Sequence, residues 1–383
     1  MSPSHSLPSA AALSDDDIVT VFLRIPPDDP TRLVRASLVC KDWRRILTGP
    51  EFCRLYREFH RTPPMLGFVV SSRPRDIGYM SRFVPTTGST AFRLSAGLDY
   101  YPRNWRFVDS RHGRILVGLV DDYGRPSGYI VWDPITNGRL GVPSPATDPV
   151  SWTAAVLCAK EHCDHLGCHG QPFLVGMVFY SFPVMSACVY SSESGVWSDI
   201  INLEYLDQFN WSWGSALARN TLYFPLVQDF SPFVQNKGGN VLQYKFGEQK
   251  LSVIELPSKN WDEDDVPDVF ISAEDDMLVF AGIDFDRGTR LSLWSTKDGA
   301  VAWVKRTVID LETLLPPRAF EYTPDICGFA EGVVFLTTEA GLFTVELSSG
   351  STKKVAELER VYNVIPWISF HTPDHARLMM PQP

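Results

Sequence analysis

The chain has 383 residues, of which 44% are hydrophobic and 21% are charged, a balance typical of a globular protein with a sizeable core. Its 35 basic and 45 acidic residues give a net charge of −10, which argues against a general nucleic-acid binder, because such proteins are normally basic. The seven cysteines are an odd number scattered along the sequence. That usage favours a reducing compartment over a disulfide framework.

The N-terminal stretch MSPSHSLPSAAA, residues 1–12, is predicted to be disordered. It lacks the basic start and the long apolar run of a secretory signal peptide. No apolar run in the sequence approaches the roughly 18 residues that a membrane-spanning helix needs. We therefore expect a cytoplasmic or nuclear protein, or both, with no membrane partner and no nucleic-acid partner.

Residues 13–60 carry the signals of three or four short helices. Ser14 is a good N-cap, three aspartates fill the first turn, and Leu13 can pack on Ile18 as a hydrophobic staple. Pro26 then ends a helix whose apolar positions follow helical spacing: Ile18, Val21, Phe22 and Ile25. Further helices are predicted to begin near 29, 40 and 49.

The stretch LVCKDW, residues 38–43, places two aliphatic side chains, a thiol and a tryptophan among charged groups. No single helical face can bury that mixture. A bundle of this size also has a thin core, so part of its apolar surface is expected to face a partner.

After about residue 64, short apolar strands dominate, bounded by Gly, Pro, Asp, Asn and Ser. Five units repeat an apolar strand, a loop, a strand, a polar turn and a further strand, with turns near Asp133, Ser191, Phe246, Ser295 and Ser348. Steps of roughly fifty residues are typical of propeller blades. A sixth blade would combine PMLGFVV (64–70) with VIPWISF (364–370) and so close the ring. A pair of β-sandwiches or an irregular all-β domain is the alternative.

The segment LSDDDIVTVFLRIPPDDPTRLVRASLVCKDWRRIL, residues 13–47, resembles an F-box. Its first half matches at Leu13, Ile18, Phe22, Leu23, Arg24, Ile25 and Pro26. Its second half matches at Leu33, Ala36, Ser37, Leu38, Val39, Cys40, Lys41, Trp43 and Arg44. Ser14 departs from the family, which usually has proline there. FHRTPPMLGF, residues 59–68, adds a likeness to plant F-box proteins that carry a C-terminal, β-propeller-like F-box-associated domain.

The resemblance implies an α+β multidomain chain, with a small helical F-box bundle at 13–60 and an all-β, β-propeller-like substrate-recognition domain of about six blades at 61–383. It implies a non-enzymatic adaptor that docks on a Skp-type adaptor, and through it on a cullin scaffold, while the β domain recruits an unknown protein target for ubiquitination. The residues that it implies for adaptor binding are Leu13, Ile18, Phe22, Ile25, Pro26, Leu33, Ser37, Val39, Cys40, Lys41 and Trp43.

Charge supports a protein partner for the helical segment. Residues 30–61 contain eight basic and three acidic side chains, a local excess of positive charge on an acidic chain. An acidic partner fits that excess. A basic, DNA-binding helical bundle is the weaker alternative.

CAKEHCDHLGCHG, residues 158–170, is the strongest rival feature. Its thiols and imidazoles suit zinc, which takes four such ligands in a tetrahedron. The six candidate ligands are Cys158, Cys163, Cys168, His162, His165 and His169. The spacing is not one of the usual CxxC pairs, so a polar loop with reduced thiols is the other interpretation. We assign no metal and no cofactor from the sequence. A zinc-dependent protein-binding module independent of ubiquitin stays open as an alternative.

Catalytic signatures are lacking: the sequence has no Gly-x-Ser-x-Gly, no GxxxxGK[ST] and no HExxH. We assign no catalytic residue. A glycosidase-like propeller enzyme stays open as an alternative, because its paired carboxylates would come from different blades and cannot be recognised from their spacing in sequence. A buried carboxylate pair in a central channel would favour it.

Overall fold

The computed structural model describes most of the chain. The described residues are 14–72, 80–86, 102–147, 149, 151–160, 163–168, 170–206, 209–211, 214–228, 239–256, 270–274, 277–284, 289–296, 303–358 and 361–373. The predicted disordered stretch 1–12 and Leu13 lie outside them. Within the described residues, no helix combines the length and the apolarity needed to cross a membrane.

The N-terminal helices are α1 (Asp15–Leu23), α2 (Thr31–Ser37), α3 (Lys41–Leu47) and α4 (Pro50–His60). The predicted cap of α1 is confirmed, because the Ser14 hydroxyl accepts from the Asp17 amide at 3.2 Å and the Asp17 carboxylate accepts from the Ser14 amide at 3.1 Å. At α2, the Asp29 carboxylate accepts from the Thr31 amide at 3.2 Å. Gly49 caps α4, with Pro50 in its first turn.

The helices bury one cluster of side chains: Phe22, Leu33, Ile46, Leu47, Phe52, Cys53 and Tyr56. Phe370, which follows the last strand, is buried in the same cluster, and Leu166 from a β-region loop packs against it. Arg57 on α4 also donates to Thr372 at 3.4 Å. The thin core of the bundle is therefore completed by the β region.

The strands begin at Met65. They are β1 (Met65–Ser72), β2 (Met80–Pro85), β3 (Trp105–Arg111), β4 (Arg114–Val120), β5 (Pro126–Asp133), β6 (Gly138–Pro143), β7 (Ser151–Cys158), β8 (Phe173–Ser181), β9 (Val184–Ser191), β10 (Val196–Trp197), β11 (Ile201–Glu204), β12 (Phe209–Trp211), β13 (Ala216–Ala218), β14 (Thr221–Gln228), β15 (Asn240–Lys245), β16 (Lys250–Glu255), β17 (Phe270–Glu274), β18 (Met277–Asp284), β19 (Arg290–Thr296), β20 (Trp303–Asp310), β21 (Asp325–Ala330), β22 (Val333–Thr338), β23 (Gly341–Glu346), β24 (Thr352–Ala356) and β25 (Val361–Ile368).

These described strands form six antiparallel sheets, the blades of a β-propeller. Blade 1 is β2-β1-β25, blade 2 is β3-β4-β5-β6, and blade 3 is β7-β8-β9-β10 with β11 on β9. Blade 4 pairs β12 and β13 with β14-β15-β16, blade 5 is β17-β18-β19-β20, and blade 6 is β21-β22-β23-β24. The polar turns predicted in blades 2, 3, 4 and 6 lie between the third and fourth strands, and the corresponding residues 297–302 of blade 5 lie outside the described residues.

The blades close into a ring. Each innermost strand contacts the innermost strand of the next blade, in the order β25, β3, β7, β12 with β13, β17, β21 and back to β25. A separate apolar cluster fills each junction between neighbouring blades, as with Tyr129 and Met177 between blades 2 and 3. A lone blade would leave these side chains in water, so burial of both faces requires the ring.

The two ends of the β region pair to complete blade 1, as the sequence predicts. Val69 faces Ile365 and Phe68 faces Pro366 across antiparallel β1 and β25. Trp367 on β25 is fully buried, and its indole Nε1 donates to the carbonyl of Gly113 in blade 2 at 3.0 Å. The last strand is thereby fixed both to its own blade and to the next one.

The variant Trp367→Phe is expected to lower the free energy of unfolding by about 2 kcal/mol, because it removes this hydrogen bond and leaves a small void in a packed junction. Denaturant titration followed by circular dichroism measures the change. Trp303→Phe is the matched control, since its indole donates to the Glu255 carbonyl at 3.1 Å in a more exposed place. Equal losses in the two variants would contradict the role given to Trp367.

Candidate functional site

The junction between α2 and α3 explains the mixed LVCKDW stretch. Leu38 and Val39 are 66% and 64% exposed, although both are aliphatic. Cys40 ends the junction as the N-cap of α3, and its Sγ accepts from the Trp43 amide at 3.4 Å. Trp43 turns back into the bundle and packs edge-on against Phe22, with ring centroids 4.9 Å apart. This short segment therefore contributes Trp43 to the helical core and leaves Leu38 and Val39 exposed to solvent.

The structure divides the predicted adaptor-binding residues by burial. Phe22, Leu33 and Ser37 are buried, so they support the helices from within. Ile18, Ile25 and Trp43 are half-buried, while Pro26, Val39, Cys40 and Lys41 are exposed. Only the half-buried and exposed members have surface to offer a partner. Leu38 is the exposed aliphatic residue that the sequence-based set left out.

Basic side chains surround this junction, which we call the α2–α3 patch and define as Leu38, Val39, Cys40 and Lys41. Arg35 on α2 and Arg44 on α3 are exposed beside it. Arg54 on α4 instead forms ion pairs within its own helix, with Glu51 at 2.7 Å and Glu58 at 2.6 Å. These two carboxylates raise the pKa of Arg54. Arg35, Arg44 and Lys41 therefore keep positive charge exposed at the patch, whereas the charge of Arg54 is compensated within α4.

Ser14, the residue before α1, has the backbone conformation that a proline would adopt at this position. Ser14 has φ of −69° and ψ of 160°. That φ lies at the value that a proline ring imposes. The Ser14 amide and hydroxyl donate to the Asp17 carboxylate, which lowers the pKa of Asp17, and the Ser14 hydroxyl accepts from the Asp17 amide. These hydrogen bonds hold the conformation that a proline ring would hold covalently.

A second candidate is the central channel, where the inner strands enclose a cavity of about 350 Å³. Its buried carboxylate, Asp109, accepts from Arg111 at 2.8 Å and from the Val156 amide at 2.9 Å. Arg111 also donates to the Ser215 carbonyl. Burial raises the pKa of the Asp109 carboxyl, and the nearby Arg111 guanidinium opposes that shift. Asp109 contacts the Arg111 guanidinium, the backbone amides of Ser110 and Val156, and the Ser215 hydroxyl. These contacts connect blades 2, 3 and 4.

The family model for the F-box domain matches residues 12–55, the region of the four helices. Residues 12–55 form an F-box domain. The F-box likeness and the fold that it implies are confirmed, with the F-box followed by a six-bladed β-propeller, while the likeness to plant F-box proteins stays a prediction. F-box domains generally bind Skp-type adaptors, and an F-box joined to a propeller is typical of adaptor proteins rather than enzymes. No curated protein sequence matches the chain significantly.

Several solved structures are similar to the chain at low identity. The WD40 domain of SCAP from fission yeast is 13% identical, with a TM-score of 0.34 over 67% of this chain and 56% of that one, so the alignment spans little more than half of that protein. AofleA from Arthrobotrys oligospora is 12% identical, with a TM-score of 0.42 over 68% and 73%. The β-propeller domain of the Trilobed protease from Pyrococcus furiosus is 12% identical, with a TM-score of 0.41 over 76% and 92%.

Proposed function

We propose that the chain is the substrate-recognition adaptor of a Skp-cullin-F-box ubiquitin ligase. The F-box docks on a Skp-type adaptor, and through it on a cullin scaffold, while the propeller holds a protein target. The observation that carries the proposal is the α2–α3 patch: an F-box domain exposes two aliphatic side chains that its own core leaves uncovered. Such residues are expected to be buried by a partner.

The charges around the patch support the same partner. Lys41, Arg35 and Arg44 are exposed next to Leu38 and Val39. An apolar centre with a basic rim fits an apolar groove with an acidic rim, which is the kind of surface we propose for the Skp-type adaptor.

The propeller has one face left for a target. We call the face that meets the helical bundle the proximal face. Leu166, in the 159–172 loop, and Phe370 lie on this face and join the helical core. We call the opposite face the distal face. Tyr123 in blade 2 and Phe182 and Leu206 in blade 3 follow strands that run from the proximal to the distal face, and all three side chains are exposed there. We propose that the target docks on the distal face, because tethering there keeps it in the complex without covering the F-box.

The enzyme alternative is less well supported. The buried carboxylate of the channel, Asp109, is engaged by Arg111, Val156 and Ser215, so its hydrogen bonds serve to join blades. A general acid or base must instead face a substrate with a tuned pKa and a partner group. We propose that the chain supplies no catalysis, that ubiquitin transfer occurs elsewhere in the ligase, and that the protein works in the cytoplasm, the nucleus or both.

Direct binding tests the proposal. The purified full chain is mixed with a purified Skp-type adaptor and analysed by size-exclusion chromatography with light scattering and by calorimetry. We expect an equimolar complex with Kd below about 1 μM. A chain that is folded by circular dichroism and yet forms no complex at tens of micromolar would overturn the proposal.

A further inference from the structure

Four potential metal ligands meet where β7 ends. They are Cys158, the last residue of β7, and Cys163, His165 and Cys168 in the loop that leads to β8, and their ligand atoms all lie within 4.8 Å of one another. The cysteines are free thiols. His162 and His169, the other two imidazoles of the stretch, lie outside the described residues. Three thiols and one imidazole are a complete donor set for structural zinc.

The distances agree with a tetrahedral site. The Sγ atoms of Cys163 and Cys168 are 3.6 Å apart, and the Sγ of Cys168 is 3.7 Å from Nδ1 of His165. Zinc bonds of about 2.3 Å to sulfur and about 2.0 Å to nitrogen place two sulfurs about 3.8 Å apart, and a sulfur and a nitrogen about 3.5 Å apart. We propose that Cys158, Cys163, His165 and Cys168 bind one structural Zn²⁺ that fixes the 159–172 loop between the F-box and the propeller.

The surroundings suit such an ion. Three thiolates and a neutral imidazole around Zn²⁺ carry a net charge of −1. Arg114 is buried beside the loop, and its Nη2 donates to the carbonyls of Cys168 and Gln171. Its Nη1 has no hydrogen-bond partner among the described residues. A buried guanidinium next to a singly negative metal centre compensates the charge of both groups.

The imidazole is held in place from its other side. The ring of His165 stacks on that of His112, with centroids 3.9 Å apart and planes 4° from parallel. The backbone of His165 has φ of 60°, a left-handed conformation that is uncommon outside glycine. The stack restricts rotation of the His165 ring, whose Nδ1 lies 3.7 Å from the Sγ of Cys168.

The loop has a structural task that a metal would serve. Leu166, between two of the proposed ligands, packs into the helical core of the F-box. Gly167 lies so close to α4 that an added Cβ would be 3.0 Å from Nη1 of Arg57. Zinc would therefore set how firmly the F-box is held against the proximal face of the propeller.

A disulfide between Cys163 and Cys168 is the rival arrangement. It would need a sulfur–sulfur distance near 2.05 Å, and it would leave Cys158 and His165 without a reason to converge on the same point. The proposal is also separate from the adaptor role, because zinc binding requires no Skp-type partner.

Metal analysis of the full chain is the test. The protein is purified without chelators or affinity metals from zinc-supplemented cells, and metals are measured by mass spectrometry. We expect one zinc per chain, which Co²⁺ can replace with the absorption of a tetrahedral thiolate site. Cys163→Ser is expected to lower zinc affinity by more than about tenfold, and His165→Ala likewise. Cys40→Ser, which changes an exposed thiol elsewhere, is the matched control and should keep full zinc.

Hydrogen exchange on the wild-type chain tests the structural role without any variant. After zinc is removed by a chelator, amide exchange should quicken in the 159–172 loop and in α4, while β18 and β19 of blade 5 stay protected. Folded protein that contains no zinc and takes up none on titration would overturn the site, as would an intact mass showing a Cys163–Cys168 disulfide. Bound zinc whose removal leaves exchange in the loop and α4 unchanged would overturn its role at the joint.

Discussion

The double variant Leu38→Asp, Val39→Asp is expected to abolish binding to a Skp-type adaptor while the chain stays folded. Both side chains are more than 60% exposed in the free protein, so aspartate at these positions stays hydrated and costs the fold little. In a complex, the same carboxylates would be forced into an apolar contact beside an acidic partner. We expect affinity to fall by at least about 100-fold, or about 3 kcal/mol.

A matched control separates this effect from a general effect of added charge. Val196→Asp makes the same exchange at a residue that is 61% exposed on β10 of the propeller, outside the F-box domain. Its binding should equal that of the wild type. Calorimetry gives the affinities, and thermal unfolding shows that both variants are folded. An unchanged affinity of the double variant would remove the α2–α3 patch from the interface, even if the wild type binds.

The variant Asp109→Ala is expected to lower the free energy of unfolding by about 3–5 kcal/mol. The carboxylate is buried, pairs with Arg111 at 2.8 Å and accepts from the Val156 amide at 2.9 Å. Its loss leaves a largely buried guanidinium without its counter-charge and an inner-strand amide without its acceptor. Because these groups belong to blades 2 and 3, the damage falls on the junction between blades rather than on one strand.

A double-mutant cycle shows whether the pair itself is responsible. Asp109→Ala with Arg111→Ala should lose clearly less stability than the two single variants summed, because no charge is then left unpaired. Denaturant titration gives the free energies. Glu248→Ala, which removes an exposed pair with Lys245 at 3.6 Å, should leave the unfolding midpoint close to that of the wild type. Strictly additive losses in the cycle would show that the two side chains act independently.

The helical region could be predicted closely because its signals are local. Ser14 with its aspartates, Cys40 before α3 and Gly49 before Pro50 each mark a helix start through the first turn's free amides. The motif agreement over residues 13–47 likewise depends on neighbours in sequence. The sequence could not predict which of these side chains are exposed to solvent. Leu38 and Val39 are adjacent aliphatic residues, and only the packing of α2 against α3 shows that both lie outside the core.

The β region could be predicted only in part. The turn after the third strand of a blade recurs along the sequence, and the apolar ends of the region paired as predicted. The innermost strands of blades 2–6 were missing from the predicted units. In β3 the reason is visible, because Asp109 and Arg111 line the channel and interrupt the apolar pattern by which a strand is recognised.

By itself, then, the sequence determined the F-box, the helix starts, the repeated hairpins and the closure of the ring, since each depends on short-range chemistry or on the apolar pattern of whole strands. Tertiary structure decided which candidate residues are exposed, which carboxylate is tied into the channel, and that His165 meets the three cysteines. The ligand atoms of His165 and the cysteines lie close together because one loop folds back between β7 and α4. The sequence shows which types of side chain such a loop contains. Whether their ligand atoms converge on one point depends on contacts between residues that are distant in sequence.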